Sequence, residues 1–244
     1  MNLHKCIFTN NDCYKKNVKI KPKGVMVHST GANNPSLKRY VQPDDGLLGD
    51  NLYNNDWNRK GLSVCVHAFI GKLSDGTVAT YQVLPWDHRG WHAGGAANNT
   101  HISFEICEDG LEDEKYFSLV YKESVELTAH LCEMYGLDPL ADGVVIDHKE
   151  GSERGIASGH GDVGHWFPKF GKTMDDFRKD VKAKMEGNKR LGNNPTKCYK
   201  EATEWAINKG IFRGDGKGNY YWQDNVTREQ LAQVLYNINR MESL

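Results

Sequence analysis

Residues 147–166 read DHKEGSERGIASGHGDVGHW. His148, His160, Asp162 and His165 crowd into this one segment, and Gly and Ser interrupt it throughout. Helix formers are sparse, so the stretch is predicted to be a loop that gathers ligand-type side chains. Before it, Val144–Ile146 is a short apolar run that predicts a strand ending near His148. Far upstream, Val25-Met26-Val27-His28-Ser29-Thr30 is another apolar run, also ending in a histidine. A His at a strand end, joined by a His and a carboxylate from a distant loop, is how an open zinc site is built. Three protein ligands hold the metal and the fourth position is left for water. His28, His148 and Asp162 form such a set, two imidazoles and a carboxylate suited to Zn2+. Composition alone does not choose among His160, Asp162 and His165 for the third place.

The rest of the first 187 residues alternates strand and helix patterns. Gly24–His28, Leu62–Ile70 and Thr77–Val83 are predicted strands, the last two joined by the turn-rich Gly71-Lys72-Leu73-Ser74-Asp75-Gly76. His101–Cys107 is a fourth, with Ile102, Phe104 and Ile106 alternating against Ser103 and Glu105. That period sets Glu105 on the face opposite Phe104. It is then either a general base beside a metal-held water or an edge-strand carboxylate facing solvent. Tyr116–Tyr135 has helical spacing and stops at Gly136. Thr173–Met185 is a charged amphipathic helix. The loop residues Trp86, Trp91 and His92, set among glycines, either line a groove for a sugar or peptide or, in the case of the Trp residues, cover the edge of the core. His67, turned inward in its strand, reads as a hydrogen-bonded structural residue.

Residues 188–196 are small, polar and closed by Pro195, and predict a linker. Beyond it the composition changes. Cys198–Lys209 and Thr227–Arg240 are predicted helices around a Gly/Asp loop, and the second opens with Thr227 and Gln230 as a capping box. Two helices in about fifty residues give a marginal core, so this module is expected to pack on a partner or on copies of itself.

The formal net charge is −1, so no overall field recruits nucleic acid. No apolar run is long enough for membrane insertion. The first residues have no apolar signal-peptide core, which predicts synthesis in the cytoplasm without an export address. The six cysteines are irregularly spaced and form no C-x-x-C, so they are expected to be reduced structural thiols, with Cys6 and Cys13 worth checking.

Taken in order, MVHST, VHAFIG, DGTVATYQVLPWDHRGWHAGG, SFEIC and DHKEG…HGDVGHW resemble the zinc-dependent N-acetylmuramoyl-L-alanine amidases, the group that includes T7 lysozyme, autolysins and peptidoglycan recognition proteins. The resemblance covers about residues 25–181. It implies an α/β fold with a mixed central β-sheet flanked by helices. It implies His28, His148 and Asp162 as the zinc ligands, Glu105 as the catalytic carboxylate, and His160 in the place of the cation that holds the oxyanion. Val163 departs from the proline usual after the third ligand. Val66 stands where some members carry a Tyr, which puts more weight on Glu105. The implied reaction is hydrolysis of the amide between N-acetylmuramic acid and L-alanine in peptidoglycan. A non-catalytic recognition protein is the alternative.

The run from Ala202 to Ala232 resembles a single S-layer homology repeat. It implies a small all-α module at residues 197–244 that binds a secondary cell-wall polymer and could self-associate. The organisation expected is therefore an amidase domain at 1–187, a linker at 188–196 and a wall-binding module at 197–244. A wall-degrading domain joined to a wall-targeting one, without a signal peptide, fits a phage or prophage endolysin of Gram-positive walls, reaching the wall after release through membrane lesions; an autolysin exported by another route is the alternative.

Overall fold

The computed structural model describes residues 1–193, 195, 199–214, 220, 222 and 228–242. The chain divides into two units, Met1–Lys184 and Met185–Leu244.

The first unit is built on a six-stranded sheet of β1 (Leu3–Lys5), β2 (Gly24–Ser29), β3 (Ala68–Lys72), β4 (Val78–Gln82), β5 (His101–Ile106) and β6 (Val145–Asp147), in the order β1-β4-β3-β5-β2-β6. Only the β3–β4 hairpin is antiparallel. The mixed sheet flanked by helices is the predicted fold. Every residue of β2 is buried, as expected for a strand covered on both faces. Val25, Val27, Phe104 and Ile106 are fully sealed, and each such side chain contributes roughly 1.5–3 kcal/mol by leaving water.

Helix α2 (Glu114–Tyr135) packs across β2, β3 and β4. Asp113 caps its start by accepting from the Tyr116 N–H at 3.0 Å, and Gly136 at φ 65° ends it. That left-handed turn is open to glycine and costly for most other residues. Helix α4 (Met174–Asn193) meets α2 through aromatic and polar side chains. Phe177 and Tyr121 meet edge-on at 5.6 Å, and the Tyr121 hydroxyl donates to Asp180 at 2.7 Å.

Two strand expectations change. The segment expected to start a strand at Leu62 pairs only from Ala68. The carbonyls before it are taken by the N-terminal segment instead. Asn11 Nδ2 donates to the Val64 carbonyl at 3.0 Å and Cys13 Sγ to that of Ser63 at 3.1 Å. Residues 62–67 therefore retain one isolated bridge, Cys65 to Trp91. β5 is no edge strand, since β2 and β3 flank it; the solvent-facing reading of Glu105 fails. Cys6, Cys13, Cys65, Cys107 and Cys132 are all free thiols.

α4 also runs on past Gly187 to Asn193, through part of the stretch expected to be a linker. Lys189, Arg190 and Leu191 are good helix formers, and a Gly in a helix costs only about 1 kcal/mol. The second unit contains α5 (Lys200–Asn208) and α6 (Arg228–Glu242). Ala206 and Ile211 are buried, and Asn237 Nδ2 donates to the Ile211 carbonyl at 3.0 Å. Trp205, Leu231, Leu235 and Tyr236 are exposed. Thr227, the expected cap of α6, and most of the Gly/Asp loop lie outside the described residues. Among the described residues no helix is long and apolar enough to cross a membrane.

Candidate metal centre

The centre lies at the carboxyl ends of parallel strands, where open α/β sheets place their ligands. His28 is the fifth residue of β2 and pairs in register with Glu105 of β5. On the other side Val27 pairs with Asp147, the last residue of β6, so His148 emerges beside His28. Register alone thus brings His28, Glu105 and His148 to one end of the sheet.

His148 opens a short helix, α3 (His148–Glu153), where a loop was expected. Its signal is a capping box hidden among the glycines. Asp147 accepts from the Glu150 N–H at 2.7 Å, and the Glu150 carboxylate accepts from the Asp147 N–H at 3.3 Å. Gly151 lets this helix lie close against the sheet: a Cβ there would stand 2.7 Å from the Met26 methyl and 3.0 Å from the Ala157 Cβ. The chain then returns through Ser158 and His160 to a 3-10 turn at Asp162–His165. Asp162 sits at φ 39°, a left-handed conformation that Asp tolerates better than most residues.

Asp162 Oδ2 lies 2.7 Å from His148 Nδ1 and 3.1 Å from His28 Nδ1, and the two Nδ1 atoms are 3.2 Å apart. Hydrogen-bond accounting identifies which nitrogens are free to bind. The His101 carbonyl lies 3.3 Å from His92 Nε2, which must therefore carry the proton. Burial holds His92 neutral, with its pKa well below the ordinary value, so its Nδ1 accepts. His28 Nε2–H donates to it at 3.0 Å. Burial lowers the His28 pKa as well, against the pull of Asp162, so His28 Nδ1 is bare. On the loop side, Ser158 Oγ donates to the Ala93 carbonyl at 3.2 Å. The same oxygen accepts from His148 Nε2–H at 3.2 Å, and in the tautomer this selects the His148 Nδ1 is bare too.

A single proton can satisfy one edge of this triangle of acceptors. A divalent cation satisfies all three. Tetrahedral zinc with bonds near 2.0–2.1 Å needs neighbouring ligand atoms about 3.3 Å apart, close to the edges found. The anchoring of each imidazole through its second nitrogen is the support that metal-binding histidines receive. Burial pushes the Asp162 carboxyl up, but the two imidazoles beside it, His148 and His28, outweigh burial and hold the group well below the usual carboxylate range. The charge that a cation needs is therefore in place. Among the described residues this trio is the one cluster of His, Cys and acidic groups with that spacing.

The trio opens into a cleft of about 510 Å³ also lined by Trp91, His92, Glu105, Ser158, His160 and His165. Glu105 is half-buried, but its Oε2 is sealed from solvent and has no hydrogen-bond partner. Burial pushes its carboxyl well above the ordinary range, and Asp162 and Glu108 add to that. His160 is exposed, with its ring 4.6 Å from that of His148 and its Nδ1 3.1 Å from Ser158 Oγ. Ser158 has already spent its proton, so His160 Nδ1 donates and Nε2 is left toward the cleft. His165 does not join the triangle; its Nε2 lies 2.9 Å from the buried Glu108 carboxylate.

The sequence expectations for the groove divide. Trp91 is 43% exposed and lines the cleft, whereas Trp86 stacks over His67 at 6.4 Å. His67 is the expected structural residue, bonded to the His88 carbonyl at 2.8 Å. The bracing roles of His92, Ser158 and Glu108 had no signal in residue spacing, because each acts through a partner more than nine residues distant or through a backbone carbonyl.

Residues 18–165 match the family described as N-acetylmuramoyl-L-alanine amidase. Among solved structures, the hydrolase AmiA of Staphylococcus aureus, in complex with its ligand, is similar at a TM-score of 0.57 and 19% identity, over 76% of this chain and 83% of that one. The PlyG catalytic domain gives 0.52 and 20%, over 76% and 96%. A mutant endolysin from Bacillus subtilis gives 0.50 and 21%, over 74% and 99%. At these identities the likeness establishes the fold. No curated protein sequence matches the chain.

Proposed function

Because the chain belongs to the N-acetylmuramoyl-L-alanine amidase family, we propose that it hydrolyses the amide joining N-acetylmuramic acid to L-alanine, with zinc held by His28, His148 and Asp162. The observation that carries the zinc reading is the triangle of bare Nδ1, bare Nδ1 and carboxylate oxygen. When bound there, zinc supplies Lewis acidity, lowering the pKa of water toward 7 and polarising a carbonyl.

The side chains around it divide the remaining work. Glu105, across the strand pair from His28, takes the proton of the attacking water and passes it to the leaving alanine nitrogen. Its sealed, unpartnered Oε2 suits a group that must hold that proton between the two transfers. His160, if protonated at Nε2 as well as at Nδ1, donates to the developing oxyanion from the outer lip of the cleft. Trp91 offers the substrate a flat apolar wall.

The same reading extends to the whole chain. Residues 197–244 serve as an S-layer homology-like module for a secondary wall polymer, and the exposed Trp205, Leu231, Leu235 and Tyr236 supply surface for that or for self-association. The protein then acts as an endolysin that reaches Gram-positive peptidoglycan after release from the cytoplasm. The test is amino-terminal analysis of purified Gram-positive peptidoglycan after treatment. New L-alanine termini, no rise in reducing sugar, and loss of release on chelation with recovery on zinc addition are expected. Release that survives complete metal removal would contradict the zinc mechanism.

A further inference from the structure

A second pocket, of about 170 Å³, opens beside the catalytic cleft and shares Trp91 with it. Lys16 and Arg89 line it, with Val18, Cys13, Ser63 and Trp91. We propose that this pocket is a subsite for the carboxylate of an acidic residue in the stem peptide whose first amide is cut next door. The proposal rests on the amidase reading above.

The wall between the two pockets is fixed. Trp91 and Cys65 exchange both backbone hydrogen bonds, at 2.9 and 3.2 Å, so the indole stands between the two sites on a paired backbone. Arg89 is anchored as well. Its N–H donates to the Val18 carbonyl at 2.8 Å, its Nε to Asn99 Oδ1 at 2.6 Å, and its guanidinium lies 4.9 Å from the Trp91 ring. With Nε engaged and the plane held, the two terminal nitrogens are presented as a fork, the arrangement that receives a carboxylate through two parallel hydrogen bonds. Lys16, in the last turn of α1 (Asp12–Lys16), supplies a second positive charge.

These cations are not neutralised within the protein. Among the described residues no Asp or Glu forms an ion pair with either. The neighbouring Lys19, by contrast, is held by Asp87 at 3.0 Å. Both charges also act on one point. The Cys13 thiol is lowered first by its hydrogen bond with Cys65 and, against burial, further by Lys16 and Arg89. Val18 and the indole supply apolar surface for a methylene stem. An acidic amino acid has the matching parts, a short apolar stem and a planar anion.

The test uses the zinc-loaded full chain and two synthetic muramyl peptides that differ only in a free or amidated stem-peptide side-chain carboxylate. The wild type is expected to show a KM about tenfold lower for the free acid, equivalent to roughly 1.4 kcal/mol, with similar kcat. Arg89→Gln and Lys16→Gln should each erode that preference through KM alone, while Arg89→Lys should retain part of it. Calorimetric binding of both peptides to Glu105→Ala protein reads the same preference without turnover. Acid-selective binding without cleavage by the wild type would keep the subsite and sink the amidase reading. Equal KM for both peptides, or a preference untouched by either Gln variant, would overturn the subsite. So would competition by inorganic phosphate that matches the free-acid peptide, because the pocket would then read charge without reading the carboxylate.

Discussion

The two walls of the catalytic cleft are made in different ways. His28 and Glu105 stand on adjacent parallel strands, and pairing register fixes their separation. Asp162 and His160 stand on a returning segment held by a short 3-10 turn, a left-handed φ and the hydroxyl of Ser158. The strand wall is braced by a chain of hydrogen bonds from the His101 carbonyl through His92 to His28. The loop wall is braced at its surface, through one serine shared by His148 and His160. The sheet therefore fixes where the two imidazoles and Glu105 come together, and the loop supplies the carboxylate and the exposed imidazole that face them. Rigid elements position a site more accurately than loops do, and this cleft assigns its least adjustable role to the sheet.

Substitutions can break this contrast. The largest effect is expected at the strand wall. Glu105→Ala should lower kcat by on the order of 10²–10⁴ while zinc content, measured by atomic absorption, stays near one per chain. Retained turnover would remove Glu105 from its role, and lost zinc would show that it supports the metal instead. On the loop wall, His160→Ala should cost about 10²–10³ in kcat with KM nearly unchanged; an effect confined to KM would make it a substrate contact only.

Ser158→Ala sharpens the comparison of the two braces. It removes the acceptor that keeps the His148 Nδ1 bare, and zinc affinity by competition with a chromophoric chelator should fall about 10–100-fold. An unchanged affinity would mean that the loop brace is dispensable. The smallest expected effect is on stability. Gly151→Ala crowds the Met26 methyl and the Ala157 Cβ and should cost about 1–3 kcal/mol, read by denaturant unfolding. No loss would mean that α3 does not lie as close to the sheet as described.

The same division separates what the sequence carries locally from what only the fold supplies. His28 is legible because an apolar run ends near it, and Glu105 because it is a carboxylate in an otherwise apolar strand, its catalytic reading coming from the family resemblance. The helix stop at Gly136 needed only local chemistry. The third ligand was not legible from composition: His160, Asp162 and His165 lie within six residues. Only the fold turns Asp162 inward, sends His165 to Glu108 and leaves His160 at the lip. The capping box at Asp147 and Glu150 was obscured by the glycines after it. The strand expected from Leu62 failed for a non-local reason, because Asn11 and Cys13 claim its carbonyls from fifty residues away. Register, and competition for backbone acceptors, depend on distant partners, and a local pattern carries neither.

The proposed zinc site consists of two imidazole nitrogens and one carboxylate oxygen at the sheet's end. X-ray absorption at the zinc edge, on full-length protein loaded with one equivalent, tests it most directly. The expected spectrum has two imidazole nitrogens and light oxygen neighbours near 2.0–2.1 Å, and it should lose one imidazole in His28→Ala. A sulfur shell near 2.3 Å, or an imidazole count unmoved by that substitution, would contradict the centre described.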